Sequence, residues 1–249
     1  MNPSLLRILI SLLALVVIGT AVHSYLLYQN TLHLIAISNS FSKEYAVGNP
    51  HDPTLTYLVL GDSTAAGTGA QKLEETYAYA VAHALAAKGN YVHVINKAQV
   101  GAKVSDLISD QLPVLDSLTP DVLSISIGAN DANHFTPAAN YTTDYNTLVN
   151  HLSRLPSTTQ VLLSNTLDMS LPPAYPLLYR WRAGNYSAQQ NNISKEALHD
   201  NNRIKMINLF QDGRLDSTKD PSLYASDKFH PSPKGYALWA SLFNAQLKS

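Results

Sequence analysis

With 249 residues, 45% of them hydrophobic and 14% charged, the chain can build one sizeable domain and is too short for two. A formal net charge of −1, with no basic block, excludes the clustered cationic face that nucleic-acid binding requires. The absence of cysteine excludes a disulfide framework, a thiolate nucleophile and a thiolate metal site.

The first element is apolar. Leu5 to Val22 is interrupted only by Arg7, Ser11 and the Gly19–Thr20 pair, and Tyr25–Leu26–Leu27–Tyr28 extends it. A helix of about 20 such residues crosses the hydrocarbon core of a bilayer. Arg7 lies on the leading side, which the positive-inside rule assigns to the cytoplasm, and Tyr25 and Tyr28 fall at the far interface. A cleavable signal peptide is the competing reading, with Thr20–Ala21–Val22 as an imperfect cleavage site; a buried core helix is the third. An uncleaved signal anchor is preferred. It leaves the rest of the chain membrane-anchored on the extracytoplasmic side, or secreted if the N-terminus is cleaved. The expected organisation is therefore an anchor over 1–28, a linker over 29–53 and a catalytic domain over 54–249.

From Thr54 onward, strands and helices alternate. Leu55–Leu60 is an apolar run closed by Gly61, a buried strand by its pattern. Glu74–Lys88 is helical and is stopped by Gly89–Asn90. Tyr91–Asn96 is a second strand. Val104–Leu118 is a helix with a kink expected at Pro113, and Asp121–Ile127 a third strand. Tyr141–Leu155 is helical, Gln160–Asn165 a fourth strand, Ser187–Asn202 a polar helix and Ile204–Leu209 a fifth strand. Ser232–Leu247 closes the chain as a helix with Pro233 in its first turn. This alternation implies a five-stranded, mostly parallel sheet covered on both faces. Thr166–Gly184 is the longest irregular stretch. It carries Leu167, Met169, Tyr175 and Trp181, and is read as a lid or pocket wall, with an apolar surface loop as the plainer alternative.

Four polar features fall at strand ends: Gly61–Asp62–Ser63, Asn96 to Gly101, Gly128–Ala129–Asn130–Asp131, and Asp227–Lys228–Phe229–His230–Pro231. A parallel sheet brings the carboxyl ends of its strands to one edge, where open α/β folds bind their ligands. Ser63 offers a nucleophilic oxygen that needs a base. His230 offers the base, an imidazole being suited to proton transfer near neutral pH. Asp227, three residues earlier, can hold the imidazole in one tautomer. The Asn130 amide and the backbone N–H groups of Gly101 and Ser63 supply three donors for an oxyanion. Asp62 and Asp131 are read as residues that order these loops at the pocket edge. His134 is the only one of the other eight histidines assigned to the pocket. No His-x-x-x-His pair points to zinc.

Taken together, Ser63, Gly101, Asn130 and His230 resemble, in order and local context, the signature residues of the SGNH hydrolases, the GDSL esterase/lipase family. Thr64 departs from the leucine that many members carry. The resemblance covers Thr54 to the C-terminus. It implies a flavodoxin-like three-layer α/β/α sandwich and a hydrolase with a Ser63–His230–Asp227 triad, a Ser63–Gly101–Asn130 oxyanion hole, and neither metal nor cofactor. The expected substrate is a small-molecule, lipid or glycan ester: an acyl lipid or lysophospholipid, or an acetylated envelope glycan. An O-acyltransferase acting on glycans and a catalytically silent membrane-displayed binding module are the alternatives.

Overall fold

The computed structural model describes residues 3–247. Helix α1 runs unbroken over Pro3–Ser40. Its apolar part is exposed, and Leu9–Ser40 is long and apolar enough to cross a membrane. Its last turns behave differently: Leu34 and Ser38 are buried against the rest of the chain. The chain then forms β1 (Glu44–Val47), β2 (Thr54–Gly61), α2 (Tyr77–Ala86), β3 (Tyr91–Asn96) and α3 (Val104–Asp106). It continues through β4 (Val122–Ser126), α4 (Ala129–Asn133), α5 (Ala138–Ser153) and β5 (Gln160–Ser164). The last elements are α6 (Leu177–Ala197), β6 (Ile204–Ile207) and α7 (Pro233–Asn244).

The sheet order is β1-β3-β2-β4-β5-β6. The five strands expected from the sequence are all present and pair parallel with one another. Among themselves they take the flavodoxin-like order, whose switch point lies between β2 and β4. A sixth strand, β1, joins antiparallel at the β3 edge, with Glu44 opposite Ile95 and Val47 opposite Val92. It lies inside the stretch expected as a linker, so residues 29–53 are mostly built structure: the end of α1 and an edge strand that closes the open side of β3.

Each central strand buries both faces. Tyr57 and Val59 point to a layer that holds Tyr77 and Val81 of α2 and Tyr236, Trp239 and Phe243 of α7. Leu58 and Leu60 point to the other, which holds Leu107, Leu112, Tyr145, Leu148 and Leu152. The result is a three-layer α/β/α sandwich. Burial of both faces is what the near-continuous apolar runs demand.

Two helices differ from expectation. The expected helix over 104–118 is a single α turn, a π turn over Leu107–Gln111 and a 3-10 turn over Leu112–Asp116. Pro113 has no N–H for an α-helical ladder, and the tighter turn accommodates it. Helix α6 starts at Leu177, ten residues before the expected Ser187, so the last part of the stretch read as irregular, from Leu177 to Gly184, is helical. Its buried stripe is Ala183, Ser187, Gln190, Asn191 and Ser194. These side chains bond inward: Asn191 Nδ2 donates to Thr166 O at 3.0 Å, and Ser187 Oγ accepts from Met169 N at 3.2 Å.

Candidate active site

Ser63 follows β2, in a turn that Asp62 holds. The Asp62 Oδ1 accepts from Thr64 N at 2.9 Å and from Thr64 Oγ1 at 2.7 Å. Thr64, the departure from the family pattern, thus supplies a hydroxyl to a buried carboxylate where leucine could not. Burial pushes the Asp62 carboxyl up to about 6, although the Thr64 hydroxyl and amide pull the other way. Asn96, at the end of β3, ties this turn to the next loop by donating from Nδ2 to Ala65 O at 2.9 Å.

The Asp227–His230 loop arrives from the other end of the chain. His230 Nε2 lies 2.9 Å from Ser63 Oγ, and His230 Nδ1 lies 2.6 Å from Asp227 Oδ2. The second Asp227 oxygen accepts from the Phe229 and His230 amides, both at 3.0 Å. Burial favours the neutral acid at Asp227, but these hydrogen bonds, led by that from His230, hold its carboxyl below the ordinary carboxylate value. The two loops touch at Gly69, where a Cβ would meet Pro231 O at 2.1 Å; the site closes because that residue has no side chain.

The three donors expected to serve an oxyanion, Ser63, Gly101 and Asn130, lie in the loops after β2, β3 and β4 and line one cavity. Neither Ser63 N–H nor Gly101 N–H donates to an acceptor among the described residues. Gly101 has φ +85° with open space where a Cβ would stand, so the left-handed backbone, not crowding by the protein, is what calls for glycine. Asn130 uses one amide hydrogen to donate to Ala102 O at 3.0 Å. That bond orients the carboxamide and leaves its second hydrogen for a ligand. Asp131 fastens the same two loops by accepting from Val104 N at 3.0 Å.

In front of Ser63 lies a cavity of about 470 Å³ that Gly101, Asn130, Asp227 and His230 also line. A niche of about 10 Å³ adjoins it, lined by Ser63, Asn130, Leu167 and Met169. Of the expected pocket residues, Tyr175 lines the cavity and Leu167 and Met169 the niche. Asp62 and Asp131 are buried behind the loops they brace and line neither. His134 is exposed, with Nδ1 2.8 Å from Asn130 O, and Trp181 is exposed on α6; neither lines the cavity or the niche.

Sequence reasoning missed two contributors. Gln111, in the π turn, reaches the backbone of Gly61, two residues before Ser63. Helix α1 supplies Ser24, Leu27, Tyr28, Thr31 and Ile35 to the cavity wall, and Thr31 Oγ1 lies 3.3 Å from Asp227 Oδ2. The i, i+3, i+4, i+7 spacing of those residues marks one helical face, a signal hidden by the apolar run that precedes it.

A doubly covered parallel sheet with a serine, an imidazole and a carboxylate in hydrogen-bonded series at its switch point has the architecture of a serine hydrolase. Residues 59–238 match the GDSL-like lipase/acylhydrolase family, so the chain belongs to that family and to the carboxylic ester hydrolases. No curated protein matches it in sequence. Solved structures share the fold. A psychrotrophic esterase from a Pseudoalteromonas species superposes with a TM-score of 0.58 at 22% identity, over 76% of this chain and 93% of that one. An extracellular lipase from Streptomyces rimosus gives 0.57 at 17%, over 78% and 100%. An acetylxylan esterase from Geobacillus stearothermophilus gives 0.56 at 20%, over 81% and 97%.

Proposed function

We propose that the chain hydrolyses carboxylic esters through an acyl-Ser63 intermediate. Ser63 Oγ attacks the carbonyl carbon while His230 Nε2 takes its proton. The carbonyl oxygen becomes an oxyanion held by Ser63 N–H, Gly101 N–H and the free Asn130 amide hydrogen. His230 returns the proton to the departing alcohol, leaving the acyl group on Ser63. Water then gives a proton to His230 and attacks the acyl carbon, and the acid leaves as Ser63 regains its proton. Asp227 holds the imidazole with Nδ1–H toward itself, which keeps Nε2 facing the serine as the base.

The observation that carries this reading is the unbroken series Asp227 Oδ2, His230 Nδ1, His230 Nε2 and Ser63 Oγ, with links of 2.6 and 2.9 Å. Support for the acyl-oxygen site comes from the two loop amides without acceptors. The test is labelling by a fluorophosphonate and turnover of a p-nitrophenyl ester, with Ser63→Ala as control. A Ser63→Ala chain that still labels, or still turns the ester over at the wild-type rate, refutes the assignment.

Helix α1 is, in this reading, an uncleaved anchor that leaves its catalytic domain on the extracytoplasmic side. Its continuity from the exposed apolar turns to the buried Leu34 and Ser38 supports one working element in place of a discarded leader. Because the chain has no cysteine, single cysteines introduced at exposed sites would report the side of the membrane by labelling with an impermeant maleimide. N-terminal sequencing of the mature protein distinguishes an anchor from a cleaved signal.

A further inference from the structure

Helix α1 lies wholly outside the residues that match the family, yet it reaches both catalytic loops. Ser38 Oγ lies 2.9 Å from Thr68 Oγ1 in the Ser63 loop. Asn30 Nδ2 donates to Ser226 O at 3.2 Å in the His230 loop, and Thr31 Oγ1 sits 3.3 Å from the Asp227 carboxylate. The helix is therefore docked beside the catalytic residues, and its Leu27, Thr31 and Ile35 form one wall of the cavity. Tyr175, Pro176 and Phe229 line the same cavity. The niche on the other side of Ser63 holds only about 10 Å³. Any long part of a substrate must lie in the cavity, against α1.

The position of that wall relative to a bilayer follows from helix geometry. An apolar span of about 20 residues that starts between Leu5 and Leu9 ends between Ser24 and Tyr28. Ser24 is also the first α1 residue of the cavity wall. Thr31, level with Asp227, is seven residues on, which is about 10 Å at the helical rise. The mouth of the cavity thus coincides with the end of the span. At that mouth, directly after Pro176, helix α6 presents Leu177, Leu178 and Trp181 at 74%, 77% and 63% exposure. A cluster of large apolar side chains left in water at the rim of a site is unusual unless a membrane or a partner covers it. A bilayer crossed by α1 would supply that cover, and an indole with neighbouring leucines suits its interface.

We propose that the cavity opens onto the leaflet from which α1 emerges, that Leu177, Leu178 and Trp181 seat in that leaflet, and that the substrate is a membrane-resident amphiphilic ester whose apolar chain lies along Leu27 and Ile35. This rests on the ester-hydrolase and membrane-anchor readings above and gives the first a substrate class and a direction of entry. The anchor is then part of the binding site, not only a tether.

The test uses the full chain reconstituted in phosphatidylcholine vesicles, with two esters: monooleoylglycerol in the bilayer and p-nitrophenyl acetate in the water. The combined variant Leu177→Ser, Leu178→Ser, Trp181→Ser lowers the turnover of monooleoylglycerol by about tenfold or more, since three apolar side chains leave the leaflet. Its turnover of p-nitrophenyl acetate stays within about twofold of wild type. Ile35→Phe, which fills the α1 side of the cavity, shifts the ratio of the two rates in the same direction. Trp181 also provides a direct readout. The other tryptophan, Trp239, is fully buried, so acyl chains brominated near the interface quench Trp181 alone, and Trp181→Phe abolishes the quenching. An unchanged ratio of rates in the triple variant overturns the proposal, as does an emission indifferent to brominated lipid. Should wild type cleave neither ester and take no fluorophosphonate, the hydrolase reading itself fails; cleavage of the acetate alone removes only the membrane-resident substrate.

Discussion

The Gln111 carboxamide grips both backbone groups of Gly61: Oε1 accepts from its N–H at 2.8 Å and Nε2 donates to its C=O at 2.9 Å. This pair of bonds fixes the last residue of β2, from which Asp62 and Ser63 project. Gln111 is buried and does not line the cavity, so it acts through the turn. Replacing it by leucine leaves the Gly61 N–H without that acceptor, at about 1–3 kcal/mol. Urea denaturation should show that loss. Because Ser63 then has a looser base, kcat should fall while KM stays near wild type. An unaltered kcat in a destabilised Gln111→Leu protein would make the contact purely structural.

Asp227→Asn separates orientation from packing. The asparagine oxygen can still accept from the Phe229 and His230 amides, so the loop keeps its shape. The new NH2 faces His230 Nδ1, however, and favours the tautomer with its proton on Nε2, where it cannot serve as a base for Ser63. A comparable substitution in serine proteases lowers kcat by about 10⁴. A drop of that order, with the melting temperature and the affinity for a product acid preserved, is expected here. A loss of only a few-fold would mean that Asp227 contributes little to the tautomer.

What the sequence made legible, and what it did not, has a physical pattern. Three of the polar segments were readable because they follow β2, β3 and β4, whose carboxyl ends a parallel sheet must collect on one edge, whereas Asp227 to Pro231 lies well past β6 and was readable from its own Asp-x-x-His spacing ahead of α7. Strand β1 was missed because four residues, Glu44–Val47, half-exposed and paired on one side only, carry too little pattern to separate from a loop. Helix α6 was cut short because its buried face is small and polar, Ala183 to Ser194, and leaves no apolar periodicity to detect. Gln111 was invisible because its role depends on a π turn that aims it at Gly61 across the fold. The α1 wall was hidden because a membrane span and a pocket wall occupy successive turns of one helix, and the first dominates its composition.

The backbone donor Gly101 and the side-chain donor Asn130 of the proposed oxyanion site predict different phenotypes. Gly101→Ala meets no atom within 4 Å of the new Cβ, but φ +85° costs an L-residue about 1–2 kcal/mol. The loop should shift to relieve that strain, moving the Gly101 N–H off the oxyanion, with kcat lowered and global stability changed little. Asn130→Ala removes the side-chain donor outright. Loss of one such donor costs about 10²–10³ in kcat, and the same variant also frees Ala102 O, which weakens the Gly101 loop. Rates of acyl-enzyme formation measured by stopped flow should therefore rank wild type, Gly101→Ala, Asn130→Ala in falling order. Equal rates for wild type and Asn130→Ala would remove that side chain from the site.

Asp62 gives the protein a defined pH signature. Burial raises its carboxyl from the ordinary 3.8 to about 6, so the folded chain holds a proton there that the unfolded chain has released. The sign follows from linkage: this contribution to stability is full below about pH 4 and is lost as the pH rises through 6. A shift of this size is worth about 3 kcal/mol for a fully buried group. Asp227 works in the opposite sense, since its carboxyl lies below the ordinary value; its stabilisation is present above about pH 4 and fades only as the pH falls further. Asp131, whose carboxyl burial also raises, acts in the same sense as Asp62, so a variant at Asp62 alone is needed to isolate its share. Asp62→Asn keeps an oxygen for the Thr64 amide and hydroxyl and carries no charge to bury. Thermal denaturation in matched buffers should show the melting temperature of the variant, relative to wild type, climbing from pH 4 to pH 6 and level above it. A difference that stays flat across that range would mean that Asp62 is already charged in the folded protein at pH 4.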